Sequence, residues 1–183
     1  QMQINASLGI SKIWTEYLCY HYEKLLEELL KKRSFSLSLQ IEQEAFDKLL
    51  KAQINYFDSI GYSGGSASSM AYSQLCDEMY SVYLKGTLDL YFALQVKYYK
   101  SDKAYKPISN STIIQEYDTI FHAIDTKRFY DYLDIGSREK AKACLSNEQK
   151  AWNNFMKVRK STSRRLQGRI KSVYDNATYR LQC

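Results

Sequence analysis

The chain has 183 residues and a formal net charge of +6, and 45% of its residues are hydrophobic, an ordinary share for a globular protein. It contains one Pro and seven Gly, and because both residues interrupt helices, their scarcity favours long helices. No run of about 18 apolar residues occurs, so no transmembrane segment is expected.

Apolar residues recur at three- and four-residue steps along most of the chain, which is the pattern of amphipathic helices. The predicted helices run from about 7 to 33, 39 to 60, 66 to 99 and 112 to 133, and a last helical region begins at Ser137. The major break falls around the only proline, Pro107. The sequence therefore predicts an all-α bundle of long antiparallel helices. Its helices form either two units, residues 1–100 and 101–183, or one continuous domain.

The two halves of the chain show a weak internal repeat at a shift of 96 residues. The matched pairs are Leu49 with Leu145, Gln53 with Gln149, and Tyr56 with Trp152. The same shift places the glycine-rich turn at 64–66 on residues 160–162. If the repeat is a duplication and not a coincidence, it predicts a turn near residues 160 to 163, inside the last helical region.

Residues 49 to 76 contain a motif on which a resemblance rests. A helix carries Ala52 and Gln53 followed by the aromatic Tyr56, and a second helix carries Cys76. The turn between them contains the three residues Gly64, Gly65 and Ser66. This resembles the secreted bacterial family called lysozyme inhibitor LprI-like, over about residues 10 to 90. Gln149 and Trp152 look like a second, degenerate copy of the motif. The chain departs from the family where its usual Trp is Tyr56 and where the second copy lacks the glycine turn.

The resemblance implies export of a binding module to the periplasm or the medium, after removal of a signal peptide. Its partner would be an extracellular protein, such as a lysozyme, or an envelope polymer. A cytoplasmic protein with free thiols is the alternative. The disulfide candidates are Cys19, Cys76, Cys144 and Cys183. Under the resemblance Cys19 can pair with Cys76. Cys144 can reach Cys183 only if a turn breaks the helix between them, because an unbroken helix would hold them about 58 Å apart.

The motif also has a physical interpretation that needs no ligand. Ala52 is small, so a neighbouring helix can approach closely there. Gln53 offers an amide that can bridge to a facing group, and Tyr56 lies one turn later on the same face. Helix packing is therefore the alternative to a ligand-binding role for Gln53 and Tyr56.

The segment from Arg138 to Arg180 is strongly basic, with 12 Lys and Arg against 3 Asp and Glu, while the rest of the chain carries a net charge of −3. Candidate polyanion-binding residues are Lys157, Arg159, Lys160, Arg164, Arg165, Arg169 and Lys171. Such a segment attracts anionic envelope polymers or nucleic acid. Nucleic acid is the less favoured partner, because no DNA-reading motif accompanies the charge. A solvated helix face is the alternative.

The sequence shows no catalytic constellation. It has two histidines, no legible pairing of a nucleophile with a base, and no glycine-rich phosphate loop after a strand. We therefore expect no enzymatic activity, no cofactor and no metal.

Overall fold

The computed structural model describes residues 36–60, 66–95, 108–126 and 133–182, together with eight separate residues between 13 and 27 that are all helical. The described helices are α1 (Ser36–Ser59), α2 (Ser66–Gln95), α3 (Asn110–Thr126), α4 (Ile135–Arg165) and α5 (Gly168–Gln182). No strand occurs in these ranges, so the predicted all-α bundle is confirmed. None of these helices combines the length and apolar character needed to cross a bilayer.

The main packing contacts join the two halves of the chain. α1 packs chiefly against α4 and α2 chiefly against α5, while α3 also packs on α4. Every helix contributes to one apolar core, for which examples are Phe46 and Leu49 of α1, Tyr83 of α2, Ile124 of α3, Phe155 of α4 and Tyr174 of α5. The described parts of both halves thus share a single core.

The helices that pack together are those that the 96-residue shift relates. Positions that are buried in both halves are Ala45 and Ala141, Leu49 and Leu145, Tyr56 and Trp152, and Ile60 and Met156. In a symmetric dimer the same surface of each copy meets its counterpart, and here equivalent faces of α1 and α4 meet within one chain. The arrangement agrees with a duplication, which itself stays a prediction.

The break between α4 and α5 lies later than the repeat predicts. Residues 160–163 remain helical, and the chain turns at Leu166 and Gln167. Gly168 follows with a φ of +54°, a conformation that glycine adopts without steric cost. Thr162 is buried inside α4, so the face that packs on the core continues past the predicted turn.

The start of α4 is also corrected. The sequence suggested that residues 134–137 end the preceding helix and that Ser137 begins the next one. Instead Asp134 is the N-cap, and its carboxylate accepts a hydrogen bond from the backbone N–H of Ser137 at 2.6 Å. Hydrogen bonds from Ser137 and from the backbone N–H of Gly136 lower the pKa of Asp134. α3 is described as far as Thr126, so its predicted extension to residue 133 lies largely outside the described residues.

In the first predicted helix, the three- and four-residue spacing of apolar residues places Ile13 and Tyr17 on one face, but both are exposed. Ile13 is 68% exposed and Tyr17 is 52% exposed. His21 is half-buried and packs against the rings of Tyr17 and Tyr20, at 4.2 and 5.4 Å between ring centroids. Periodicity alone showed that this segment is helical, but not which of its residues would be covered.

Gly86 marks the closest approach of α2 and α5. A Cβ atom added there would lie 2.9 Å from the Cβ atom of Ala177, closer than side chains pack. Glycine inside a helix costs about 1 kcal/mol relative to alanine. The close approach of α5 explains why glycine occupies this position.

Candidate functional site

A pocket of about 290 Å³ lies where α1, α3 and α4 meet, beside the end of α5. Its aromatic wall consists of Tyr56, Phe57, Tyr117 and Trp152. The aliphatic residues that line it are Ile113, Ile120 and Leu145, and the polar ones are Gln53, Glu116, Glu148 and Gln182. An apolar cavity with a few converging polar groups is the usual form of a small-ligand site, although this one is at the small end of the range.

Helical periodicity explains how these side chains converge. Gln53 and Tyr56 are three residues apart on α1, and Glu148 and Trp152 are four residues apart on α4, so each pair shares a helix face. Because α1 packs on α4, the two faces form opposite walls of the pocket. The structure therefore brings together three residues of the predicted motif, namely Gln53, Tyr56 and Trp152.

The other predicted motif residues do not line the pocket. Ala52 and Gln149 are half-buried and lie outside the lining, and the residue that faces the cavity from α4 is Glu148. Sequence analysis missed Glu148 because the repeat drew attention to its neighbour. The spacing of four residues from Trp152 was the signal that could have identified it. Ser66, which the motif places in the turn, is the first residue of α2.

Two buried polar atoms of the pocket residues have no hydrogen-bond partner within the described structure. They are the carbonyl oxygen of the Gln53 side chain, Oε1, and the indole nitrogen of Trp152, Nε1. Trp152 is only 7% exposed, so its N–H group is shielded from solvent. Leaving such a group unpaired costs about 1–3 kcal/mol. Both atoms are closed off from water-sized molecules, so the open space of the pocket does not contact them.

Glu148 is the central ionisable group of the pocket. The Tyr117 hydroxyl donates to Glu148 Oε1 at 3.3 Å, and the Gln53 amide also donates to this carboxylate. Burial raises the pKa of Glu148, and these two hydrogen bonds only partly oppose that effect. Burial, and secondarily the nearby Glu148 charge, also raises the pKa of Tyr117.

The charge of the pocket lining is one-sided. Glu116 and Glu148 supply two carboxyl groups, and no Lys, Arg or His is among the described residues that line the cavity. A carboxylate buried without a counter-charge favours its neutral form. The described lining therefore contains no positively charged side chain that would stabilise the ionised form of Glu148.

A second surface carries the basic residues. Lys157, Lys160 and Lys171 line an open groove of about 740 Å³ between α4 and α5. Lys171 forms an ion pair with Asp175, which also lines this groove. Arg164 is exposed on α4.

Two of the candidate arginines bind protein groups on other helices. Arg165, although exposed, donates to Ser38 Oγ of α1 at 2.8 Å. Arg169 donates to the Ala93 carbonyl oxygen of α2 at 2.8 Å. These hydrogen bonds tie the region around the α4–α5 turn to the first half of the chain.

Arg159 also lines the groove, but it is a core residue whose guanidinium is bound to protein groups. It is 3% exposed, and its Nη1 atom lies 2.5 Å from Glu42 Oε1. Its Nε atom donates to Thr178 Oγ1 at 2.9 Å. The hydroxyls of Tyr83 and Tyr174 donate to the same Glu42 carboxylate, and the Tyr174 ring lies 4.3 Å from the guanidinium carbon. A linear charge count cannot show that one arginine of a basic run points inward.

Most of the cysteines in the predicted disulfides lie outside the residues that the structure describes. Cys144 is a half-buried free thiol on α4, so the structure places it in no disulfide. Cys19, Cys183 and the side chain of Cys76 lie outside the described residues, as do Gly64 and Gly65. The pairing of Cys19 with Cys76 and the glycine turn stay predictions.

No protein-family model, curated protein or solved structure gives a significant match to this chain. The resemblance to the lysozyme-inhibitor family therefore stays a prediction that rests on the motif residues. Function has to be inferred from the fold and from the two surfaces described above.

Proposed function

We propose that the chain is a helical binding module whose binding site is the aromatic pocket between α1, α3 and α4. The observation that carries this proposal is a cavity of about 290 Å³ whose lining combines four aromatic side chains with the hydrogen-bonded carboxyl group of Glu148. Because ligand sites are typically apolar cavities with a few converging polar groups, this combination favours a ligand.

Helix packing alone explains this region less well. Protein interiors are close-packed and contain few voids larger than a water molecule. A motif that served packing only would fill the space beside Tyr56, whereas here Tyr56 and Leu145 line a cavity of about 290 Å³.

The proposed activity is binding without chemical turnover. The described residues that line the pocket include no Ser, Cys, His or Lys, so no nucleophile paired with a separate base is among them. The ionisable groups in the lining are two carboxyls and two phenols, of which Tyr117 and Glu148 are bound to each other. This set is suited to recognising a polar group inside an aromatic enclosure.

The resemblance supports export and an extracellular or envelope partner, with a lysozyme as one such partner. The net charge of +6 would slow its encounter with basic lysozymes by long-range repulsion. Screening limits that repulsion to about 8 Å at physiological ionic strength. Lysis of bacterial cell walls with and without excess protein tests the inhibitor role. Unchanged lysis by every lysozyme class would remove that role and leave the pocket unaffected.

A fragment screen tests the pocket directly. Neutral aromatic amides should shift backbone amide signals of Gln53, Tyr56 and Glu148 in two-dimensional ¹H–¹⁵N NMR spectra. Trp152→Leu removes an aromatic ring from the lining and should weaken the best fragment by up to about tenfold, in line with the worth of an aromatic contact. Trp14→Leu, at the only other tryptophan, is the matched control. A screen in which no fragment reaches these residues would refute the proposal.

The lysine groove supports a second candidate function, polyanion binding. It places Lys157 and Lys160 on one side of an open channel and Lys171 on the other. Replacing Lys157 and Lys160 by Gln should shorten retention on an anionic polymer column. Replacing the neighbouring exposed Arg164 and Lys150 by Gln removes the same charge and is the control. Equal effects of the two double variants would mean that only overall charge is sensed.

A further inference from the structure

Four aromatic side chains enclose one small space in the pocket. Tyr56, Tyr117 and Trp152 are each more than nine-tenths buried, and Phe57 is half-buried beside them. The Tyr56 and Phe57 rings meet at a steep angle of 64°, with centroids 5.8 Å apart, so they form two differently oriented surfaces. The face of an aromatic ring is electrically negative and attracts a cation within about 6 Å of its centroid.

The ionised groups of the pocket have the same sign as the ring faces. Glu148 from α4 and Glu116 from α3 are carboxyls, and the described lining from α1 and α5 contributes the neutral amides of Gln53 and Gln182. Gln182 is held away from a ligand role, because both ends of its amide bind the backbone of Ile108 at 2.8 and 3.1 Å. The described lining therefore offers an anionic ligand no opposite charge.

We propose that the aromatic pocket binds a small organic ammonium ion, whose alkyl groups pack against the rings and whose charge is balanced by Glu148. The inference rests on the proposed binding function and adds the chemical class of the ligand. Trimethylammonium and similar groups are weakly hydrated for a cation and are recognised by aromatic enclosures.

Burial of Glu148 fits this ligand class. The carboxyl group is desolvated, which raises its pKa, and a bound cation would lower that pKa again by stabilising the ionised form. Binding of the cation should therefore weaken as the pH falls and Glu148 takes up its proton. The other titratable groups that line the pocket are Glu116 and Tyr117 of α3 and Tyr56 of α1.

Calorimetric titration of the full chain with choline and with its neutral carbon isostere, 3,3-dimethylbutan-1-ol, tests the inference. The two probes have nearly the same shape and differ in charge. Choline should bind at least about tenfold more tightly, because cation–π attraction in a desolvated site and a charge-assisted contact both favour it. Glu148→Gln should remove most of this preference. Glu139→Gln, which removes the same charge from an exposed position on the same helix, should keep it.

The comparison of the two probes on the unaltered protein stands even if Glu148→Gln fails to fold. Equal or tighter binding of the neutral isostere would overturn the inference and leave the binding pocket in place. Binding of neither probe, while neutral aromatic amides still perturb Gln53 and Trp152, would also overturn the ammonium assignment alone. Failure of the amides as well would refute the proposed function itself.

Discussion

The buried pair of Glu42 and Arg159 provides the strongest test of the energetics of this fold. Glu42→Ala would leave the Arg159 guanidinium, which is 3% exposed, without a negative partner. The hydroxyls of Tyr83 and Tyr174 are phenols, which are ordinarily neutral at pH 7 and cannot replace that charge. Burial is the largest cause of the raised pKa of Tyr174, and it remains when Glu42 is removed. Removing one member of a buried ion pair costs about 3–5 kcal/mol.

This loss is a large share of the stability of a natural domain, which is about 5–15 kcal/mol. For a protein of this size it corresponds to a fall in Tm of about 6–20 °C. Urea denaturation followed by circular dichroism at 222 nm measures the free energy of unfolding of each variant. Arg164→Met, at an exposed position on the same helix, is the control and should stay within about 0.5 kcal/mol of the unaltered protein.

The double variant Glu42→Leu with Arg159→Met is the second test of the buried charge pair. Replacing both charges by apolar side chains removes the unpaired cation, so the double variant should recover at least half of the loss seen for Glu42→Ala. The tyrosine hydroxyls that lose their acceptor limit the recovery. The argument for a buried charge pair fails if Glu42→Ala costs less than about 1 kcal/mol, or if the double variant is no more stable than the single one.

Three further predictions concern packing, pH and redox state. Gly86→Ala should lower the Tm, because overpacking against α5 costs about 1–3 kcal/mol and exceeds the gain of about 1 kcal/mol in helix propensity. The control is Gly136→Ala, where an added Cβ atom would lie 3.6 Å from its nearest neighbour, Asp134 Oδ1, and this variant should not be less stable than the unaltered protein. Glu148→Gln should be more stable than the unaltered protein at pH 7, because the raised pKa of Glu148 in the folded state means that its ionisation costs stability as the pH rises. This advantage should shrink as the pH falls towards the ordinary pKa of Glu. A stability difference that is the same at every pH would contradict this prediction. Non-reducing peptide mapping of the exported protein should recover Cys19 and Cys76 in one fragment, and free thiols at both positions would count against export.

The sequence was sufficient for the helices and for half of the pocket, because both depend on periodicity. Gln53 and Tyr56 share a face by spacing alone, and the internal repeat pointed to Trp152 on the opposite wall. Tyr117 was not identifiable, because its approach to Glu148 depends on how α3 packs against α4. Spacing within one helix carries no information about such a contact.

The inward direction of the Arg159 side chain could not be predicted from the sequence either. Its partner Glu42 lies 117 positions away in the chain. In the sequence, each of the two residues looks like part of a solvent-exposed, charged helix surface. The displaced turn has a local cause instead. Gly168 was a better signal for the break than the repeat was, because it is the residue that can adopt a positive φ.

The pairing of α1 with α4 and of α2 with α5 has a consequence for synthesis of the protein. α1 ends at Ser59 and α5 ends at Gln182, so at about 5–20 residues per second the ribosome needs roughly 6 to 25 s to finish the partners of the first helices. During that time the apolar faces of α1 and α2 have no native surface to cover them. The newly made first half therefore depends on chaperones or on transient collapse, and a chain cut before α5 would expose the Gly86 face of α2 to aggregation.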